Sequence, residues 1–191
     1  MGTSRLEAFS DGVLAVIITI MVLDLKPPHG TDLNALLSLL PNFLVYILSF
    51  QTIGTYWNNH HHLIRRAKFV TAKIMWANLN LLFWLSLIPF STAWLSENYQ
   101  EPLPTALFGI NILFSAFSYF LLQRTILAMH SKESIVHKKI GKDSKGLITI
   151  GGYILAIILA WQNVLYADVL YVLIALMWFI PDKRLEFPQK S

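Results

Sequence analysis

No cysteine occurs in this 191-residue chain, which excludes a disulfide framework and any thiolate metal centre and leaves the redox compartment unmarked. Charge is scarce too: Asp, Glu, Lys and Arg make up 14% of the residues, against 55% hydrophobic ones. With mean hydropathy at +0.53, no stretch is left over for a separate soluble domain, and the chain reads as one all-α membrane bundle. No solenoid-type repeat is visible. A cleavable leader is not expected either, because too few residues precede the first apolar run.

What is present is a series of charge-free runs. A bilayer core of about 30 Å needs about 20 helical residues, and residues 33–59, 74–96, 102–123 and 146–167 reach that length. The runs 12–23 and 169–181 are shorter and need polar ends to complete a crossing. Six transmembrane helices are predicted in a single domain over 1–191, at roughly 6–26, 33–64, 70–96, 102–128, 145–163 and 165–181. With both termini in the cytoplasm, every Lys and Arg except Lys26 lies inside, from Arg5 through Arg65, Arg66, Lys68, Lys138, Lys139, Lys142 and Lys145 to Lys183, Arg184 and Lys190. Acidic residues divide almost evenly, so the bias is the one the positive-inside rule expects. The pI near 9.3 follows from that topology. The basic residues are spread over separate loops, and no nucleic-acid partner is expected. Lys138 to Lys145 reads as a solvated loop able to meet anionic headgroups. Gly109, Ser115, Ser118 and the pair Gly151 and Gly152 read as packing positions for close helix approach.

Two polar clusters stand out against this apolar background. Arg5-Leu6-Glu7-Ala8-Phe9-Ser10-Asp11-Gly12 runs straight into the first apolar stretch. A mid-bilayer Asp or Arg costs roughly 2.5–3.5 kcal/mol to insert, so Arg5 and Asp11 call for partners or a path. The second cluster, Tyr56-Trp57-Asn58-Asn59-His60-His61-His62, ends the second helix. Adjacent helical side chains point about 100° apart, so three consecutive histidines do not converge on one ion. With no HExxH pairing either, no metal site is expected. Trp57, His60 and His61 do share a face. Asp11 needs donors, and the Trp57 indole N–H and an imidazole N–H from His60 or His61 can supply them. Arg5 is expected to compensate charge, Ser10 to complete the set, and Asn58 or Asn59 to assist.

Gly12, Val16, Thr19, Ile20 and Leu23 fall on one stripe of the first helix. Periodicity alone does not separate a pore wall from a lipid-facing or packed surface. Asp24 closes the helix on the outer side, either as a charge that gathers cations or as an interfacial acid beside Lys26.

The pattern Arg5-x-x-x-Phe9-Ser10-Asp11 followed by Gly12, Ala15, Thr19, Leu23 and Asp24, with Trp57-x-x-His60-His61 in the second helix, resembles the signature of the transmembrane protein 175 family of potassium channels. The resemblance implies a fourfold homotetramer of six-helix subunits whose first helix lines a central pore. It implies an apolar constriction at Val16, Ile20 and Leu23, a pore-facing hydroxyl at Thr19, and an acid at the pore mouth at Asp24. Arg5, Phe9, Ser10, Asp11, Trp57, His60 and His61 become a structural polar knot between the first two helices. Val16 departs from the isoleucine common in the family, which leaves Val16, Ile20 and Leu23 all open as the narrowest ring.

On this reading the protein is not an enzyme. It is a potassium channel modestly selective over sodium, with no cofactor beyond the permeant potassium ion, in a prokaryotic plasma membrane. Nothing resembles the Thr-Val-Gly-Tyr-Gly carbonyl filter, so selectivity is expected from a narrow ring that gates by dewetting. The alternative is a secondary ion transporter, although no inverted repeat or broken helix pair is visible. An intramembrane enzyme lacks a nucleophile–base pair, and a passive scaffold leaves Asp11 and Arg5 without a purpose.

Overall fold

The structure, a computed structural model, describes residues 2–140 and 143–179. The expected end of the last span at 180–181 and the basic residues Lys142, Lys183, Arg184 and Lys190 lie outside the described residues. Every regular element among those described is helical. They are α1 (Thr3–Leu23), α2 (Leu33–Leu37), α3 (Leu40–Ile64), α4 (Ala72–Ser86), α5 (Ile88–Glu97), α6 (Pro102–Leu127), α7 (Ile135–Ile140), α8 (Ser144–Ala160) and α9 (Val164–Phe179). Three helical units, Thr3–Leu23, Ala72–Glu97 and Pro102–Leu127, are long and apolar enough to cross a membrane; Ser144–Ala160 and Val164–Phe179 are apolar but shorter.

Two prolines set the differences from the expected spans. The segment 33–64 divides into α2 and α3, with Pro41 in the first turn of α3. The segment 70–96 is interrupted at Leu87, and Pro89 occupies the first turn of α5. Proline lacks an N–H and its ring crowds the carbonyl four residues back. It is therefore tolerated in a first turn and interrupts a helix that would run through it. The loop expected over 138–145 holds the end of α7 and the start of α8. There Asp143 caps α8 by accepting from Gly146 N at 2.8 Å, as a side-chain oxygen does for an otherwise unpaired first-turn N–H. Thr71 caps α4 in the same way, accepting from Ile74 N at 3.2 Å.

The interior has two apolar clusters. One joins α1, α3 and α4 through residues such as Leu14, Ile17, Ile53, Leu63 and Leu81. The other joins α5, α6, α8 and α9 through Phe108, Ile112, Tyr153, Ala156 and Tyr171. α6 touches α3, α4, α5, α8 and α9 and gives Leu122 and Ile126 to the first cluster and Phe108 and Ile112 to the second. It is the shared wall on which both halves pack. Most remaining large apolar side chains lie on the outside, among them Leu44, Phe83, Phe90, Ile158 and Leu173. An exposed apolar surface of this extent suits hydrocarbon rather than water.

Polar groups inside the bundle find partners across helices. Asn80 donates to Ser118 at 2.7 Å, Thr92 to Ser49 at 2.7 Å, and Asn111 to Ser91 at 3.0 Å. Each supplies the interhelical glue that a lipid environment, lacking a hydrophobic drive between helices, otherwise withholds. Tyr171 on α9 is 1% exposed and donates to Thr105 O at 3.0 Å. Its hydroxyl lies directly over Gly109, where an added Cβ would overlap it and approach Ile157 Cγ1 at 2.9 Å.

That close approach makes Gly109 a packing requirement. Gly109→Ala is expected to destabilise the protein by about 1–3 kcal/mol through overpacking. Gly151→Ala, whose Cβ meets nothing within 4 Å, should stay within about 0.5 kcal/mol of the parent. Unfolding midpoints in detergent, followed by tryptophan fluorescence, check both. Equal midpoints for the two variants would reject the α6–α9 contact.

Candidate functional site

α1 has two unlike faces. Leu6, Ser10, Leu14, Ile17 and Met21 are its buried residues, spaced by three and four so that one stripe meets α3, α4 and α5. At about 100° per residue, Arg5, Gly12, Val16, Thr19 and Leu23 lie within about 60° of one another on the far side. Ile20 sits about 60° from the centre of that group, toward the buried stripe. Exposure follows the geometry: Leu23 is 79% exposed, Val16 55% and Ile20 46%. The Thr19 hydroxyl donates back to Val16 O at 2.8 Å, so its oxygen faces outward as an acceptor. Among the described residues, none covers this stripe. Asp24 ends α1, exposed, and with Lys26, Ser96 and Glu97 lines an outer recess of about 380 Å³. Lys26 pairs with Glu97 at 3.8 Å and not with Asp24.

The inward face carries the polar anchor, built from three α1 residues at i, i+3 and i+4. Glu7 Oε1 meets His61 Nδ1 at 2.5 Å and Arg65 Nε at 3.6 Å. Asp11 Oδ1 accepts from the Trp57 indole N–H at 3.1 Å. Between them Ser10, wholly buried, belongs to a chain that spans three helices. The Asn78 amide on α4 donates to Ser10 Oγ at 3.0 Å, and the Ser10 hydroxyl donates to Leu6 O at 2.9 Å. That amide orientation turns Asn78 Oδ1 toward His60 Nε2, 2.6 Å away, so Nε2 carries the proton and donates. In neutral His60 the other nitrogen, Nδ1, is then a bare acceptor, and it is buried with no partner.

The arrangement corrects the expected knot in three places. Neither imidazole reaches Asp11: His60 is taken by Asn78 and His61 by Glu7. The reason is angular. Asp11 lies about 100° past Ser10 on α1, which turns it to the half-exposed flank where Trp57 stands, whereas His60 is 1% exposed and points between α1 and α4. Arg5 is exposed and forms no ion pair among the described residues; the guanidinium beside the acidic group is that of Arg65. Asn58 is exposed, and Asn59 joins through its backbone carbonyl, which accepts from Tyr119 at 3.2 Å. Phe9 is 51% exposed on the outward side.

Asn78 and Glu7 are the anchor residues that sequence reasoning missed. A lone amide inside an apolar run is the signal that could have found Asn78. Glu7, four residues before Asp11, carries the i, i+4 spacing that puts both carboxylates on one side of the helix. Among the described residues no group of three or more His, Cys, Asp or Glu side chains is placed to hold a metal ion.

Comparison with known proteins bears on this site. A family model described as the endosomal/lysosomal potassium channel TMEM175 matches residues 5–89, the segment that holds every anchor residue. A potassium channel of a Chryseobacterium species is 47% identical over 186 residues, 97% of each chain. A potassium channel of Streptomyces collinus is 38% identical over 103 residues, 52% of this chain and 50% of the relative. The crystal structure of a lysosomal potassium-selective channel TMEM175 homologue from Chamaesiphon minutus superposes with a TM-score of 0.81 at 25% identity, covering 95% of this chain and 98% of that one.

The anchor predicts an order of sensitivities. Asn78→Ala leaves the His60 N–H and the Ser10 oxygen buried without partners and should cost about 1–3 kcal/mol. Trp57→Phe removes a donor that is half exposed and should cost about 0.5–1.5 kcal/mol. Unfolding titrations in mixed detergent micelles measure both, and a smaller loss for Asn78→Ala than for Trp57→Phe would refute the three-helix chain.

Proposed function

We propose that this chain, which belongs to the TMEM175 family, is a cation channel that passes potassium in preference to sodium through a pore lined by the outward face of α1. The observation that carries the reading is the uncovered stripe of Gly12, Val16, Thr19 and Leu23, set opposite the buried anchor. One subunit cannot enclose an axis with one helix. Closure needs several copies, and a fourfold homotetramer places four such stripes face to face. The relatives named as potassium channels support the cargo. The near-complete superposition on a potassium-selective channel supports the channel-type helical subunit, and the distribution of Lys and Arg supports both termini in the cytoplasm of a prokaryotic plasma membrane.

The mechanism follows from the side chains. Rings of Val16, Ile20 and Leu23 form apolar constrictions that expel water unless an ion brings it in, so the ion's own hydration decides passage. Potassium holds its water less tightly than sodium and crosses such a ring at lower cost. The Thr19 oxygens, each with its proton committed to Val16 O, stand between rings as acceptors for a partly dehydrated cation. Asp24 at the outer end raises the local cation concentration. Leu23 projects near the centre of the exposed stripe, Val16 about 30° from it and Ile20 farther to the same side, which favours Leu23 or Val16 as the narrowest ring.

Flux from liposomes holding the purified protein, under opposed potassium and sodium gradients, tests this. Wild type should favour potassium, and Leu23→Asn and Ile20→Asn should each raise flux several-fold or flatten the preference by wetting the constriction. Absence of flux from a folded, monodisperse assembly would defeat the channel reading, and saturating, counter-ion-coupled flux would replace it with a transporter.

A further inference from the structure

α9 carries one carboxylate within its apolar length. Asp168 stands one turn inside the helix, about 6 Å from its start at Val164. Among the described residues its carboxylate has neither an ion pair nor a hydrogen bond, although the residue is half-buried. An ionisable group inside a membrane helix is costly to keep and marks function by default. The α1 anchor does not use it, and the packing of α9 does not need it: Ala167, Tyr171 and Ile174 are the buried residues of that helix.

Two recesses meet at Asp168. The first is a groove of about 360 Å³ between α3 and α9, walled by Leu44, Leu48, Val172 and Leu176 and reaching Gln51 and Phe179. The second, of about 490 Å³, opens at the end of the bundle where Gln100, Gln162 and Asn163 present amides. Asp168 and Tyr99 line both. From Asp168 to Phe179 the groove follows eleven residues of helix, about 16 Å, which is half of a hydrocarbon core of about 30 Å and so the depth of one leaflet. No Lys, Arg or His lines either recess. The site is therefore a leaflet-deep apolar trough with a carboxylate and amides at its headgroup end and no cation to receive a bare phosphate.

We infer that this trough binds a phospholipid with a primary ammonium headgroup, its ammonium on Asp168 and one acyl chain lying between α3 and α9. Charge complementarity selects the head: phosphatidylglycerol would bring only an anion to an uncompensated carboxylate, whereas phosphatidylethanolamine brings a three-donor cation. The trough opens sideways past exposed Ile47, Val172 and Leu173, the direction from which a bilayer supplies acyl chains. Placement in the outer leaflet rests on the topology proposed above.

The test is native mass spectrometry of the full chain purified in detergent doped with equal amounts of phosphatidylethanolamine and phosphatidylglycerol. Wild type should retain phosphatidylethanolamine preferentially. Asp168→Asn, the same size without the charge, should reduce that preference by up to about fivefold, the factor that a partly exposed ion pair supplies. Leu176→Trp, which fills the trough, should reduce retained lipid of both kinds, and both variants should remain monodisperse on size exclusion and keep wild-type potassium flux. An unchanged preference in Asp168→Asn, a preference for phosphatidylglycerol, or a trough occluded by a neighbouring subunit with no lipid retained would each overturn the inference. Because the chain has no cysteine, Gln162→Cys gives a single label site. Labelling by a membrane-impermeant maleimide on intact cells supports the outer-leaflet placement. Its failure overturns that placement and the topology, and leaves lipid preference as a separate result.

Discussion

The structure depends on satisfying the polar groups that α1 carries into the membrane. Glu7, Ser10 and Asp11 project from three adjacent positions and end on His61, Asn78 and Trp57 respectively. In a low-dielectric interior each is costly unpaired, and a network of this kind is worth most when every member is satisfied. It also fixes rotation. Turning α1 by one residue, about 100°, would withdraw Ser10 from Asn78 and bring Phe9 or Asp11 against the amide. The outward stripe is thus set by bonds on the opposite side of the helix, and whatever it faces in the assembled protein it faces at a defined angle.

The two halves of the subunit answer to different demands. α1, α3 and α4 hold the anchor, with buried amides and hydroxyls bonded across helices. α8 and α9 are more uniformly apolar and join α6 through tight contacts such as Tyr171 over Gly109. α6 belongs to both clusters, and its serines are bonded to a neighbour or to its own backbone: Ser118 accepts from Asn80 and the Ser115 hydroxyl donates to Asn111 O. The proposed lipid trough is walled by α3 and α9 and takes no residue from α1, so its occupancy and the α1 face can be tested separately.

Much of this was legible in the residues. Charge-free runs overlap the helices but misplace several ends, since α1 begins at Thr3 and not at 12 and the run 146–167 crosses the break after Ala160; the Asp11 and Trp57 clusters point at each other because a carboxylate and an indole N–H are complementary. Partner choice was not legible. Periodicity states that Ser10, His60 and Asn78 each need a bond, but which neighbouring helix supplies it depends on packing angles that one sequence does not encode. Asn78 sat unremarked inside a charge-free run because it bears no charge. Asp168 falls inside the span expected from the residues, but periodicity does not show that it lines a groove against α3. Pro41 and Pro89 were the missed stop signals, hidden because hydropathy ran across them without a break.

Rotation links the anchor to the proposed constriction. Leu23 lies near the centre of the outward stripe and Val16 about 30° from it, so in a fourfold assembly they would meet the axis more directly than Ile20. Ile20, about 60° to the side, contributes only an edge. Val16 carries one methylene less than isoleucine, a difference that fourfold symmetry repeats around the ring. At such a ring a small turn of α1 changes the opening as well, because it carries the Val16 side chain toward or away from the axis. A constriction made of flexible apolar side chains therefore borrows its precision from elsewhere. In the proposed channel the bonds of Glu7, Ser10 and Asp11 lie outside the conducting path, about one to four turns from the rings, and they set the rotation of α1 on which the width of an otherwise featureless apolar stripe depends.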